Sequence, residues 1–304
     1  MQLLYLLVAS SILVPAPMTK QEGWTGQIVM LKRSGITYRN ASKPDGSGSL
    51  MMIEYRVIQD KGEELVVIEN GKDVIVRKDD MVPQMDAIVF YTEALQKDPT
   101  DVTALAFRGW AYRQKKSLDK ALEDYGKCIE LSPQQCAWRN NRALIWIEKK
   151  DYDKAIADYD ESIRLLPNYG LAFRNRGNCW LKKKEYAKAL QDFEKSVALS
   201  PDSPSAYNAL AHLLATCPDK KFRDGDKALE AAKKANDLSG SKSGSILDTV
   251  AAAHAELGQF DDAIKYQERA FADPFYAKEK EKAEEARKRL QLYREKKPYR
   301  EVPN

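Results

Sequence analysis

The chain has 304 residues, of which 43% are hydrophobic and 31% charged, with 49 Lys and Arg against 45 Asp and Glu. That apolar content excludes a disordered chain, the length suits two domains, and a formal net charge of +4 leaves no electrostatic footprint for nucleic acid or an anionic membrane. Local surface chemistry must therefore select any partner.

The opening MQLLYLLVASSILVPAP carries an uncharged run from Leu3 to Val14. It is too short for a membrane span of about 20 residues and suits the core of a signal peptide. Val14-Pro15-Ala16 offers a small-residue cleavage site, although no Lys or Arg precedes the run. Residues 1–16 are read as a leader, weak or preceded by a true start upstream, which makes the protein periplasmic or extracellular if cleaved and cytoplasmic if not; a first strand or a buried cytoplasmic tail is the alternative. Asn40-Ala41-Ser42 is a glycosylation sequon only in a host that glycosylates secreted proteins.

Residues 22–83 change to short apolar runs, GQIVMLK, SLMMIEYRVI, ELVVIE and DVIVR, which predict four or five strands. Asn70-Gly71 predicts a tight hairpin because both central residues of that turn need positive φ. Asp60-Lys61-Gly62 closes another, and residues 43–49 read as a loose loop in which Gly46-Ser47-Gly48-Ser49 is too short to cradle a phosphate. The region resembles a small SH3-like barrel without that domain's aromatic peptide-binding motif.

From residue 84 to 275 the pattern is helical and periodic. Pro99, Pro133, Pro167 and Pro201 lie 34 residues apart, and the segments ending on the last three align without gaps. Each predicts two antiparallel helices, the second beginning near Ser117, Asp151 or Glu185. Gly109, Ala143 and Gly177 fill a small position on the first helix, with Tyr112, Trp146 and Trp180 three residues on. Ala121, Ala155 and Ala189 fill a small position on the second, followed by Tyr125, Tyr159 and Phe193. Small residues allow close backbone approach while the aromatics fill the wedge between units.

These residues resemble the tetratricopeptide repeat family. The register extends upstream as a half repeat at Ala87, Tyr91 and Ala94. It continues downstream through a fourth unit interrupted by ATCPDKKFRDG and a fifth running from Ile246 to Ala270 and Pro274. Residues 276–304 form a capping helix and tail, with a thin apolar stripe at Ala283, Ala286, Leu290 and Tyr293. The expected fold class is thus α+β multidomain, an SH3-like β-barrel followed by an all-α superhelix, or α-solenoid.

The resemblance implies a non-catalytic interaction scaffold that holds a partner peptide or protein on the face made by the first helix of each unit. Residue by residue, that face is Arg113, Asn140, Asn141, Arg174, Asn175, Asn178, Lys182, Asn208 and His212. Asn can donate to and accept from a peptide backbone and Arg can clamp a carboxylate, so an acidic or carboxyl-terminal peptide suits it. The family's dicarboxylate clamp for chaperone tails is matched only at Asn141. Ala106, Trp110, Leu171 and Asn175 stand where the clamp has Lys, Asn, Lys and Arg.

Arg108, Arg142 and Arg176 also recur every 34 residues, as do Asp124, Asp158 and Asp192, and both partners vanish together in the fourth unit (Leu210, Ala231) and the fifth (Val250, Tyr266). Joint loss is what a structural ladder requires, since one buried charge left alone costs about 3–5 kcal/mol.

No P-loop, GxSxG, HExxH or dinucleotide fingerprint is present, and the two histidines, His212 and His254, fall in different units. Cys128, Cys136, Cys179 and Cys217 have neither CxxC spacing nor a His cluster. They predict free thiols, no metal and no cofactor, which argues against an oxidising compartment. Other roles compatible with such a chain are a cell-envelope assembly factor, a regulatory subunit and, weaker, an enzyme with its site in the β domain.

Overall fold

The computed structural model describes residues 23–40, 47–49, 54–69, 72–241, 243–273 and 280–301. The leader, the Asn70-Gly71 turn, Ala41 and Ser42 of the sequon, Gly46 and Pro274 lie outside the described residues. The chain divides into two compact units, residues 1–149 and 150–304. Among the described residues are seven strands and twelve α-helices, and no helix is long and apolar enough to cross a membrane.

In the first unit the strands β1 (Ile28–Leu31), β2 (Thr37–Asn40), β3 (Ser47–Ser49), β4 (Glu54–Asp60), β5 (Glu64–Glu69), β6 (Lys72–Arg77) and β7 (Met81–Pro83) form one antiparallel sheet. Their spatial order is β3-β2-β6-β5-β4-β1-β7. Seven strands stand where four or five were expected. The additional ones are short: β3 lies in the stretch read as a loose loop and pairs with β2 through backbone that Gly and Ser supply as well as any residue. The three-residue β7 follows a single 3-10 turn, too short for a periodic signal.

The Asp60-Lys61-Gly62 turn forms as expected, with Gly62 at φ +87° and the Lys61 N–H bonded to the Glu64 carbonyl at 2.8 Å. Asp60 does more than turn the chain. Its carboxylate accepts from Lys78 Nζ (2.7 Å), the Trp24 N–H (2.7 Å) and the Gly62 N–H (3.0 Å), and the Lys78 bond leads in holding its pKa below the usual carboxylate range.

The sheet passes without a break into helices α1 (Ala87–Lys97), α2 (Val102–Gln114), α3 (Leu118–Leu131) and α4 (Cys136–Glu148). α1 is the half repeat: Ala87 and Tyr91 are fully buried, and the Tyr91 hydroxyl donates to the Leu31 carbonyl of β1. One apolar core runs from Val29, Leu31 and Met81 through Tyr91 to Phe107, Trp110, Tyr125 and Trp138.

The second unit holds α5 (Tyr152–Leu165), α6 (Gly170–Lys182), α7 (Tyr186–Leu199), α8 (Pro204–Thr216), α9 (Gly225–Leu238), α10 (Gly244–Glu256), α11 (Phe260–Ala270) and α12 (Lys280–Arg294). Neighbours in sequence pack as hairpins, α6 on α7, α8 on α9 and α10 on α11. Helix starts are set by side-chain caps: Asp151, Ser203 and Asp224 accept from the N–H three residues on, at 3.2, 3.3 and 3.1 Å. Pro204 follows Ser203 at the first helical position, where its missing N–H costs nothing. The fourth repeat's insertion folds into a 3-10 turn, Lys220–Phe222, before α9.

The small positions are small for a steric reason. A Cβ on Gly177 would lie 2.6 Å from a Phe193 ring carbon, and one on Gly109 would lie 3.2–3.3 Å from Asp124 and Tyr125. All four cysteines are buried free thiols. Burial pushes Cys128 and Cys179 up to about 12, and the carboxylates of Asp124 and Asp192 add to the rise.

The α12 helix differs from the solvated cap expected of it. Ala283, Ala286 and Tyr293 are buried as the stripe predicted, but so is Arg289, whose Nε donates to Asp248 of α10 at 2.9 Å. A buried cation on a Lys-, Glu- and Arg-rich helix is invisible to composition.

Candidate binding surface

The polar residues assigned from sequence separate into structural and available groups. The ladder is structural. Arg108 donates to both oxygens of Asp124 (2.9 and 2.7 Å) and to Thr92 Oγ1 at 3.3 Å. Arg176 donates to both oxygens of Asp192 (2.8 and 2.7 Å) and to Asp160 at 2.6 Å. In both pairs the carboxylate is buried, and its hydrogen bonds raise the arginine further. The residues of the middle rung belong to different units: Asp158 is buried in α5, and Arg142 is half-buried in α4.

In the first unit the expected face is largely committed to the fold. Arg113 Nε is paired with Glu148 at 2.5 Å, and Lys116 holds the other oxygen at 3.0 Å. Burial pulls the Glu148 carboxyl up, yet the bonds from Lys116 and Arg113 outweigh it and leave it below the usual range. Asn140 and Asn141 are buried, with Asn140 Nδ2 3.4 Å from Asn141 Oδ1. Ala106 and Trp110, which replace clamp residues, are core. His254 is core too, stacked on Tyr266 with ring centroids 5.3 Å apart and Nδ1 2.7 Å from Gln259 Oε1.

The second unit is different. Arg174, Asn178 and Lys182 recur every fourth residue on α6, so they share one stripe. Neither Arg174 nor Lys182 has a carboxylate partner among the described residues. Arg174 donates instead to Asn175 Oδ1 (3.0 Å) and to Ser205 Oγ of α8, and burial lowers its pKa. Buried Asn175 thus positions the guanidinium rather than facing a ligand. Ser205, Asn208 and His212 continue the surface on α8, and Asn208 Oδ1 is buried with no hydrogen-bond partner among the described residues.

Asn178, Lys182, Tyr186, His212, Thr216 and Glu301 line a cavity of about 180 Å³ between these helices. Ser205 and Glu301 were not legible as site residues, the first because Ser at a helix start reads as a cap. Among the described residues no cluster of His, Cys, Asp and Glu is placed to hold a metal.

Family models for the tetratricopeptide repeat match residues 102–135, 137–169, 171–203 and 244–273. This is a tetratricopeptide-repeat protein. Several solved structures share the fold of the repeat protein. The APC/C hetero-tetramer Cut9-Hcn1 is 15% identical, with a TM-score of 0.58 over 69% of this chain and 39% of that one. Yeast Tom70 is 18% identical, with a TM-score of 0.54 over 68% and 42%. The pilF protein of Pseudomonas aeruginosa is 23% identical, with a TM-score of 0.54 over 67% and 90%. At such identities the likeness concerns the fold alone. No curated protein matches the chain. The repeats make it a protein-interaction scaffold.

Proposed function

We propose that the scaffold is non-catalytic and holds an extended acidic peptide on the α6–α8 face of its second unit. The observation that carries this reading is Arg174. It is a half-buried guanidinium, oriented by Asn175 and Ser205, with no carboxylate of its own among the described residues. Desolvating a cation without a counter-ion is costly, and an incoming carboxylate offsets that cost through a bidentate bond. Asn178 and Lys182 extend the same stripe by two helical turns, as an extended chain requires.

The test is a peptide-display selection on the intact chain, with affinities of the selected peptides measured by fluorescence anisotropy. Replacing Arg174 and Lys182 together by Ala should weaken binding by roughly tenfold or more, the loss of charge-assisted bonds worth about 1.5–3 kcal/mol. Arg113→Ala should leave it unchanged, because Arg113 is already neutralised by Glu148. Equal affinity in the double variant would remove the α6–α8 face from consideration. Export through residues 1–16 is likewise proposed, and fractionation of cells expressing the chain with and without them tests it: an identical distribution would refute it.

A further inference from the structure

The segment after α12 reaches this face at Glu301. The chain reverses at Lys296 (φ +55°), where the Lys297 N–H bonds to the Leu292 carbonyl at 2.8 Å, and then runs back across α10 to α8. Tyr299 packs with Ala251, Ala255 and Tyr293, under Arg289 at 5.3 Å. Arg300 pairs with Glu256 at 2.6 Å. The Glu301 N–H then donates 2.9 Å to the Thr216 carbonyl at the end of α8, and its carboxylate lies 3.5 Å from His212 Nδ1, at the wall of the cavity that Asn178 and Lys182 also line.

These contacts form the pattern of a docked peptide: an aromatic anchor, a charge pair, a backbone bond to a helix-end carbonyl, and a carboxylate among His and Lys. We infer that residues 298–301 are an internal occupant of this surface, and that a separate extended peptide with an aromatic two residues before a carboxylate competes with them for it. The inference rests on the α6–α8 reading and deepens it. Glu301 fills one end of the face, while the Arg174 end has no acid among the described residues. An incoming acidic chain therefore gains Arg174 and displaces Glu301.

The expected size of the effect follows from tethering. A short tether gives an effective concentration on the order of 1 mM. A segment that binds in trans at about 0.1 mM then blocks its own site and weakens a competitor by about tenfold.

The test uses a fluorescent peptide of residues 297–304, KPYREVPN, against the intact chain and a chain ending at residue 297. Circular dichroism establishes that the shortened chain is folded. If it is not, the full-length Tyr299→Ala/Glu301→Lys variant takes its place. The opened chain should bind the peptide about tenfold more tightly than the intact chain. Glu301→Gln in the peptide should weaken binding by about threefold, as expected for one half-exposed carboxylate contact. Equal binding to both chains, or no binding to the opened chain, overturns the inference. If display-selected peptides still depend on Arg174 and Lys182 in that case, the α6–α8 reading stands while the internal occupant falls.

Discussion

The first and third complete repeats of this chain join their paired helices through a charge pair, and the fourth and fifth do the same job with apolar side chains. Arg108 grips Asp124, and Arg176 grips Asp192, each through two hydrogen bonds. At the equivalent places Leu210, Ala231, Val250 and Tyr266 belong to one apolar cluster with Ala228, Ala232 and Ala253. Both solutions satisfy the same geometry because each is complete. A paired ion is solvated by its partner, an apolar pair needs no solvation, and the excluded state is one charge without the other.

The largest effect should come from creating that excluded state. Asp192→Ala strands a half-buried Arg176 against Asp160 alone and should cost about 3 kcal/mol. The double variant Arg176→Leu/Asp192→Ala copies the fourth repeat and should recover most of the loss. Urea unfolding followed by circular dichroism measures both. A double variant as unstable as the sum of its parts would show that the two kinds of repeat are not interchangeable.

The next effect concerns how closely the helices of each kind of repeat approach. The apolar repeats place Ala211 and Ala251, both fully buried, as the second repeat places Ala143, where the third and first repeats place Gly177 and Gly109. Gly177→Ala inserts a methyl 2.6 Å from the rigid Phe193 ring, and overpacking of this sort costs about 1–3 kcal/mol. Gly109→Ala meets nothing closer than 3.2 Å, and Ala gains roughly 1 kcal/mol of helix propensity over Gly, so it should be near neutral. If the two substitutions cost the same in thermal unfolding, the wedge between these helices is not set by the aromatic.

How well each feature was legible depended on whether it repeats. The ladder, the small positions and the insertion were visible because the 34-residue period supplies its own comparison at each place. The committed state of Arg113 was not, since its partner Glu148 stands where the neighbouring repeats have Gln114 and Lys182. That departure from the period was the available signal. Arg289 and Glu301 lie beyond the repeats, where a charged side chain reads as solvated unless its distant partners, Asp248 and His212, are known. The short strands β3 and β7 have too few residues to carry a pattern.

The smallest expected effect distinguishes the two kinds of repeat at their turns. The helix-to-helix turn needs a residue in the left-handed region, and the ladder repeats use Lys116, Lys150 and Lys184 (φ 59°, 60° and 62°), whereas the fifth repeat uses Gly258 (φ 74°). The bonding is the same in both: the Glu185 N–H reaches back to the Trp180 carbonyl at 2.9 Å, as Gln259 does to His254. A side chain in this conformation costs about 1–2 kcal/mol, of which Gly recovers only part because it loses more backbone entropy on folding. Lys184→Gly should therefore stabilise the chain by about 0.5 kcal/mol, raising Tm by roughly 1–2 °C, and Gly258→Lys should lower it by as much. A fall in Tm for Lys184→Gly would mean that the lysine stem contributes packing or charge to the turn that its backbone geometry does not reveal.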